Sequence, residues 1–183
     1  MLVLKILAEK IIAMEKKIKN IYIIINPAAG IGESILPVIN ASMKEAGIKW
    51  EALITHQAGD AIQFAKAVVK KGIDALAVYG GDGTLREVIS GLIGSEIPLV
   101  ILPGGSANVM ATELGISSNL KEACMLLNHS PLETKTIDIG QFDKSYFIVG
   151  ISLGFEADVS KARIARPKIR WASLPIFFQQ LRH

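Results

Sequence analysis

The sequence predicts a doubly wound α/β domain built on a parallel sheet, followed by the start of a β-sandwich. Three observations predict it. Strand-like and helix-like segments alternate from residue 18 onward. Three of the strands empty into a glycine-containing turn and then a helix. After about residue 131 the alternation gives way to two strand-like runs in succession. Composition agrees: half of the 183 residues are apolar, only 6% are aromatic, and Ile, Leu, Val, Ala and Gly dominate, the balance of a buried parallel sheet.

Each element has a local cause. Ile21 to Ile25 is a β-branched run that Asn26-Pro27 stops. A helix follows to Ala46, with Pro37 tolerable only near its first turn and Gly47 closing it. Trp50 to Thr55 reads as a second strand. Residues 60–71 place Ile62, Ala65 and Val69 on one face, with Lys70 and Lys71 in the last turn and Gly72 as the stop. Ala75 to Tyr79 is a third strand that runs into Gly80-Gly81-Asp82-Gly83-Thr84. The helix after it spaces Leu85, Val88, Ile89, Leu92 and Ile93 along one stripe. Pro98 to Leu102 is a fourth strand, leading through Pro103-Gly104-Gly105-Ser106 to a helix that ends at Gly115. Thr134 to Gly140, a turn at Asp143-Lys144, and Tyr146 to Leu153 read as an antiparallel hairpin. The chain therefore divides into an N-terminal extension (1–17), the α/β domain (18–136) and an incomplete β-rich domain (137–183).

Several function classes fall away. Twenty basic against 17 acidic residues leave a net charge of +3, without the concentrated basic face that nucleic acid needs. Cys124 is the single cysteine, set in an apolar run, so it reads as a buried hydrophobe in a chain suited to a reducing compartment. His56, His129 and His183 have no metal-ligand spacing. No apolar stretch reaches the roughly 18 residues of a membrane-spanning helix. Residues 1–13 read as an amphipathic extension, in its plainest form a surface helix.

The glycine turns carry the chemistry. Glycine lets the backbone approach a phosphate closely, and a helix N-terminus favours the anion. One such turn is weak evidence, because many loops use glycine simply to turn. Three of them converge at one sheet edge: Asn26-Pro27-Ala28-Ala29-Gly30, Gly80 to Thr84, and Pro103 to Ser106. Asp82 sharpens the case. A carboxylate beside phosphates is repulsive unless a cation lies between them or the carboxylate takes a proton, and either role points to phosphoryl transfer with Mg²⁺. The plain alternatives are that Asp82 caps its helix, and that Thr84 and Glu87 form a capping box.

Four ordered motifs resemble the diacylglycerol-kinase catalytic domain: NPAAG at 26–30, THQAGDA at 55–61, GGDGTLREVISGL at 80–92 and PGGSANVMATELGI at 103–116. That family includes bacterial lipid kinases and sphingosine kinases, and is distantly similar to NAD kinases and phosphofructokinases. Residues 137–159 look like its entry into a β-sandwich. The resemblance implies an ATP-dependent lipid kinase, with ATP and Mg²⁺ at the strand ends and a diacylglycerol- or sphingoid-like lipid as acceptor. Asn26, Pro27, Ala28, Ala29, Gly30 and Thr55 would contact the nucleotide. Gly80, Gly81, Asp82, Gly83, Thr84, Leu85, Arg86 and Glu87 would form the triphosphate loop and helix, with Asp82 catalytic and Glu87 near the ribose. Ser106 stands where the family often has threonine, Asn108 matches its usual asparagine, and Val109 replaces a common aspartate.

Family members continue beyond the point where this sequence ends, and draw an acidic metal cluster and a proposed general base from that part. No acidic residue follows Asp158. The 183-residue chain is accordingly expected to bind ATP weakly or not at all and to phosphorylate no lipid. Its hairpin would have open edges that favour a homodimer. Two other readings stand beside the kinase: a nucleotide-binding module without turnover, and an NAD kinase-like phosphotransferase, against which NPAAG and PGGSAN speak. Lys161, Arg163, Arg166, Lys168 and Arg170 beside Trp171 form either a contact with the inner membrane surface or a solvated helix face. The expected location is cytoplasmic, peripheral at that surface.

Overall fold

A computed structural model describes residues 10–14, 17–30, 34–128, 132–142, 145–147 and 170–177. Its strands are β1 (Lys10–Met14), β2 (Asn20–Ile25), β3 (Lys49–Ile54), β4 (Ala75–Gly80), β5 (Leu99–Pro103), β6 (Leu132–Phe142), β7 (Ser145–Phe147) and β8 (Arg170–Phe177). The helices are α1 (Ile35–Ala46), α2 (Asp60–Val69), α3 (Asp82–Leu92), α4 (Val109–Glu113) and α5 (Leu120–Met125), the last running into a 3₁₀ turn at Leu126–Asn128. The sheet order is β1-β6-β8-β5-β4-β2-β3, with β7 paired to β6.

The β2 to β5 half is parallel throughout. The chain leaves β2 for the edge strand β3, then crosses back past β2 to β4. A topological switch point therefore lies between β2 and β4, the place where open α/β sheets hold ligands. Every residue of β4 and β5 is buried, so both faces of the sheet are covered. Two helix pairs supply the cover: α2 packs on α3, and α1 on α5.

Local signals set most boundaries. Gly47 closes α1 in the left-handed region (φ 67°), and its N–H and that of Ile48 bond the Lys44 and Met43 carbonyls. Leu85, Val88, Ile89 and Leu92 of α3 are buried as their spacing predicts. In α2 the fully buried stripe is Ala61, Ala65 and Val68 rather than the expected Ile62, Ala65 and Val69; the face is turned by one residue so that the small side chains of Ala61 and Ala65 bring α2 close to α3. A Cβ placed on Gly91 of α3 would lie 2.6 Å from the Ala65 Cβ. Cys124 is buried, as expected; burial pushes its thiol up to about 11, opposed by a hydrogen bond with Ser42.

The antiparallel half differs from its expectation in three respects. Lys10–Met14 is not helical but a strand, paired with Leu132–Thr136. Its register partner lies more than a hundred residues away, beyond the reach of a local pattern. The hairpin of β6 and β7 exists at Gly140–Phe142 and Ser145–Phe147, and residues 148–153 lie outside the described residues. β6 is paired along most of both edges: β8 pairs with it from Thr134 to Gln141 on one side, and on the other β1 pairs with Leu132–Thr136 and β7 with Gly140–Phe142. Arg170 and Trp171 begin β8 rather than continuing a helix face, and Lys161 to Lys168 lie outside the described residues. No helix among the described residues is long and apolar enough to cross a membrane.

Candidate functional site

The turn after β2 is stitched to α3 by Asn26. Its backbone N–H donates to the Tyr79 carbonyl at 2.9 Å, continuing the β2–β4 register by one step. Its side-chain oxygen accepts from the Ala28 N–H at 3.0 Å, which folds the Asn-Pro-Ala-Ala turn back on itself. The side-chain amide then donates to Thr84 Oγ1 at 2.9 Å, across 58 residues of sequence.

The second and third turns touch backbone to backbone. Gly81 precedes α3 in an extended conformation, and the Gly104 N–H donates to the Gly80 carbonyl at 3.0 Å. A Cβ on Gly105 would sit 2.5 Å from the Gly81 Cα, so any side chain there would force the turns apart. The Tyr79 ring fills the space behind them. A Cβ on Gly104 would meet it at 2.7 Å, and one on Gly30 (φ 93°) would strike its hydroxyl. Asn108 sits in the left-handed region (φ 45°) and clasps Gly105: its oxygen accepts from the Gly105 N–H at 2.9 Å and its amide donates to the Gly105 carbonyl at 2.6 Å.

A fourth segment, the loop from β3 to α2, completes the site. The Thr55 N–H and hydroxyl both donate to the Ile25 carbonyl, at 2.9 and 3.4 Å. Asp60 Oδ2 accepts from the His56 and Gln57 N–H groups at 2.8 and 3.1 Å, and those two bonds hold its carboxyl below its ordinary value. Glu87 Oε2 accepts from the Gly59 N–H at 2.9 Å, which ties this loop to α3. Thr84 and Glu87 therefore do not make a capping box. Thr84 accepts from Asn26, and Glu87 reaches a loop 28 residues earlier; the close α2–α3 crossing brings that loop within range.

These pieces enclose a cleft of about 550 Å³, within the range of small-molecule sites. Its walls are Asn26 to Ala29, Thr55 to Ala58 with Ala61, Gly81, Gly83, Thr84 and Glu87, and Gly105. His56, Gln57, Ala58 and Ala61 were not named individually as site residues from sequence, although all lie in the THQAGDA motif that contains Thr55, and Gly105 belongs to the third glycine turn, Pro103 to Ser106. Several residues that were singled out sit elsewhere. Leu85 is in the core, Gly80 is buried at the end of β4, and Arg86 is exposed on α3. Gly30 backs onto Tyr79, Asn108 holds the third turn together, and Ser106 is exposed beyond Gly105.

Asp82 stands between the wall residues Gly81 and Gly83 as the first residue of α3, half buried, where a negative charge suits the helix dipole. Its carboxylate makes no hydrogen bond or ion pair among the described residues, so it does not cap the helix. No group of three or more His, Cys, Asp or Glu side chains that could hold a metal occurs among the described residues.

The family model of the diacylglycerol kinase catalytic domain matches residues 20–142. A diacylglycerol kinase of Staphylococcus carnosus is 31% identical over 141 residues, which cover 74% of this chain and 44% of that protein. One of Mycobacterium tuberculosis is 32% identical over 143 residues, covering 74% and 46%. The crystal structure of a diacylglycerol kinase from Bacillus anthracis superposes with a TM-score of 0.64 at 30% identity, over 72% of this chain and 46% of that one. The chain spans about half the length of these relatives.

Proposed function

The chain belongs to the diacylglycerol kinase catalytic domain family, and from that premise we propose that it carries the nucleotide-holding part of an ATP-dependent kinase, which transfers the γ-phosphate to the hydroxyl of a diacylglycerol-like lipid. One observation carries the reading: four loops at one sheet edge are held together by side-chain and backbone contacts around a cleft whose phosphate end is bare backbone.

The chemistry follows from that construction. The first N–H groups of α3 have no partner within the helix, and Leu85 is the first to donate, to the Gly81 carbonyl at 3.0 Å. Phosphates belong at that end, where Gly81 and Gly105 leave room for close approach. The ribose and base then extend toward His56 to Ala58. One carboxylate oxygen of Glu87 is engaged by Gly59, and the other can accept from a ribose hydroxyl. The carboxylate of Asp82 would hold Mg²⁺ against the phosphates. When bound, the ion neutralises charge on the phosphoryl group being transferred. The Asn26–Thr84 bond keeps the first turn fixed against α3, so the phosphate position is set before the nucleotide arrives.

The test is a transfer assay with γ-labelled ATP on the full-length protein, offering diacylglycerol, sphingosine and NAD in parallel. Labelled diacylglycerol is the expected product. Label on NAD alone, or tight ATP binding with no acceptor labelled, would replace the lipid-kinase reading with one of the other two.

A further inference from the structure

We propose that Asp60 sets the base preference of the cleft, acting through the backbone of His56 and Gln57 rather than by touching the nucleotide. The inference rests on the nucleotide reading above. With the phosphates at the glycine turns, the base lies against His56, Gln57 and Ala58 at the other end. A loop wall offers a base its backbone N–H and C=O groups, so which of them are already engaged decides what it can read.

Two of the three N–H groups are engaged by one carboxylate oxygen: Asp60 Oδ2 accepts from His56 at 2.8 Å and from Gln57 at 3.1 Å. The Gln57 carbonyl is engaged too, accepting from the Asp60 N–H at 3.3 Å. Among the described residues, the carbonyl of His56 and the N–H of Ala58 make no hydrogen bond. An acceptor and a donor two residues apart match the edge of adenine, whose 6-amino group donates and whose N1 accepts. Guanine presents the reverse, an accepting O6 and a donating N1–H, so each of its groups would face one of its own kind. Removing the Asp60 carboxylate frees two more donors and lets the loop present either pattern. Glu87 still anchors the loop at Gly59 when this happens, so the change is confined to the reading edge.

The experiment is a competitive titration of the full-length protein with ATP, GTP and ITP, the last carrying guanine's O6 and N1–H without its 2-amino group. The unaltered protein is expected to bind ATP at least about tenfold tighter than GTP and ITP, the worth of about one hydrogen bond. Asp60→Ala should bring both ratios to within about threefold, and Asp60→Asn, which keeps an acceptor oxygen, should restore them. A uniform fall in affinity for all three nucleotides, at unchanged ratios, would give Asp60 a purely structural role and overturn the proposal. Equal affinities in the unaltered protein overturn it without any variant, which covers the case that Asp60→Ala does not fold. Binding of none of the three by folded protein removes the nucleotide reading itself, an outcome separate from the other two.

Discussion

From β3 to β5 every neighbouring strand is parallel and the pairing runs along whole strands; from β8 to β1 every neighbour is antiparallel. Among the described residues the two blocks meet through one ladder pair, Leu99 with Ile176. The difference explains where the cleft is. Parallel strands deliver all their carboxyl ends to one edge, so the turns after β2, β3, β4 and β5 gather there. Antiparallel strands send successive turns to opposite edges and cannot assemble such a site. The antiparallel block instead supplies apolar cover, with Ile137, Ile139, Leu174 and Ile176 buried.

If that division holds, changes in the parallel block should alter nucleotide chemistry at little cost in stability, and changes in the other block should do the opposite. The largest effect is expected from Asp82→Asn: a loss of about a thousandfold in kcat for phosphate transfer. The melting temperature should stay within about 2 °C, because the carboxylate has no partner to lose among the described residues. Turnover like that of the unaltered protein would remove Asp82 from the chemistry. Ile139→Ala, at a fully buried position, should lower stability by about 3 kcal/mol in a urea melt. ATP affinity of the folded fraction should be unchanged, and a parallel drop in affinity would mean that the two blocks are coupled.

Two smaller effects probe the cleft itself. Gly81→Val sets a branched side chain where even a Cβ would lie 3.3 Å from the Gly105 Cα. It should weaken ATP binding about thirtyfold by calorimetry, the equivalent of about 2 kcal/mol. Unchanged affinity would show that the turn does not cradle phosphate. Thr84→Val keeps the shape but removes the acceptor for Asn26. A fivefold weakening, about 1 kcal/mol, is expected in the same titration, and no change would mean that the first turn holds its place without that bond.

Much of the parallel block was legible because its signals are local. The β-branched run of β2, the stripe on α3 and the left-handed Gly47 each report on their own few residues. The glycine turns were legible as well, since glycine at a strand-to-helix turn is a local necessity wherever a neighbour comes close. The antiparallel block was read less well. Lys10–Met14 holds a short apolar run behind the charges Glu9 and Lys10, and its partner strand lies more than a hundred residues away, so nothing nearby marks it as a strand.

Taken alone, the sequence determined the alternation of strands and helices, the face that α3 buries, and the positions of the turns that meet at the cleft. Only the tertiary structure decided what the polar side chains at those turns do. Thr84 and Glu87 satisfy the spacing of a capping box, yet they bond Asn26 and Gly59. Asn108 matches a family asparagine, yet both ends of its amide hold Gly105. The physical reason is distance along the chain. Periodicity fixes which way a residue points within its own element, but a hydrogen bond across 28 or 58 residues exists only once strand order and the close approach of α2 to α3 bring its two ends together.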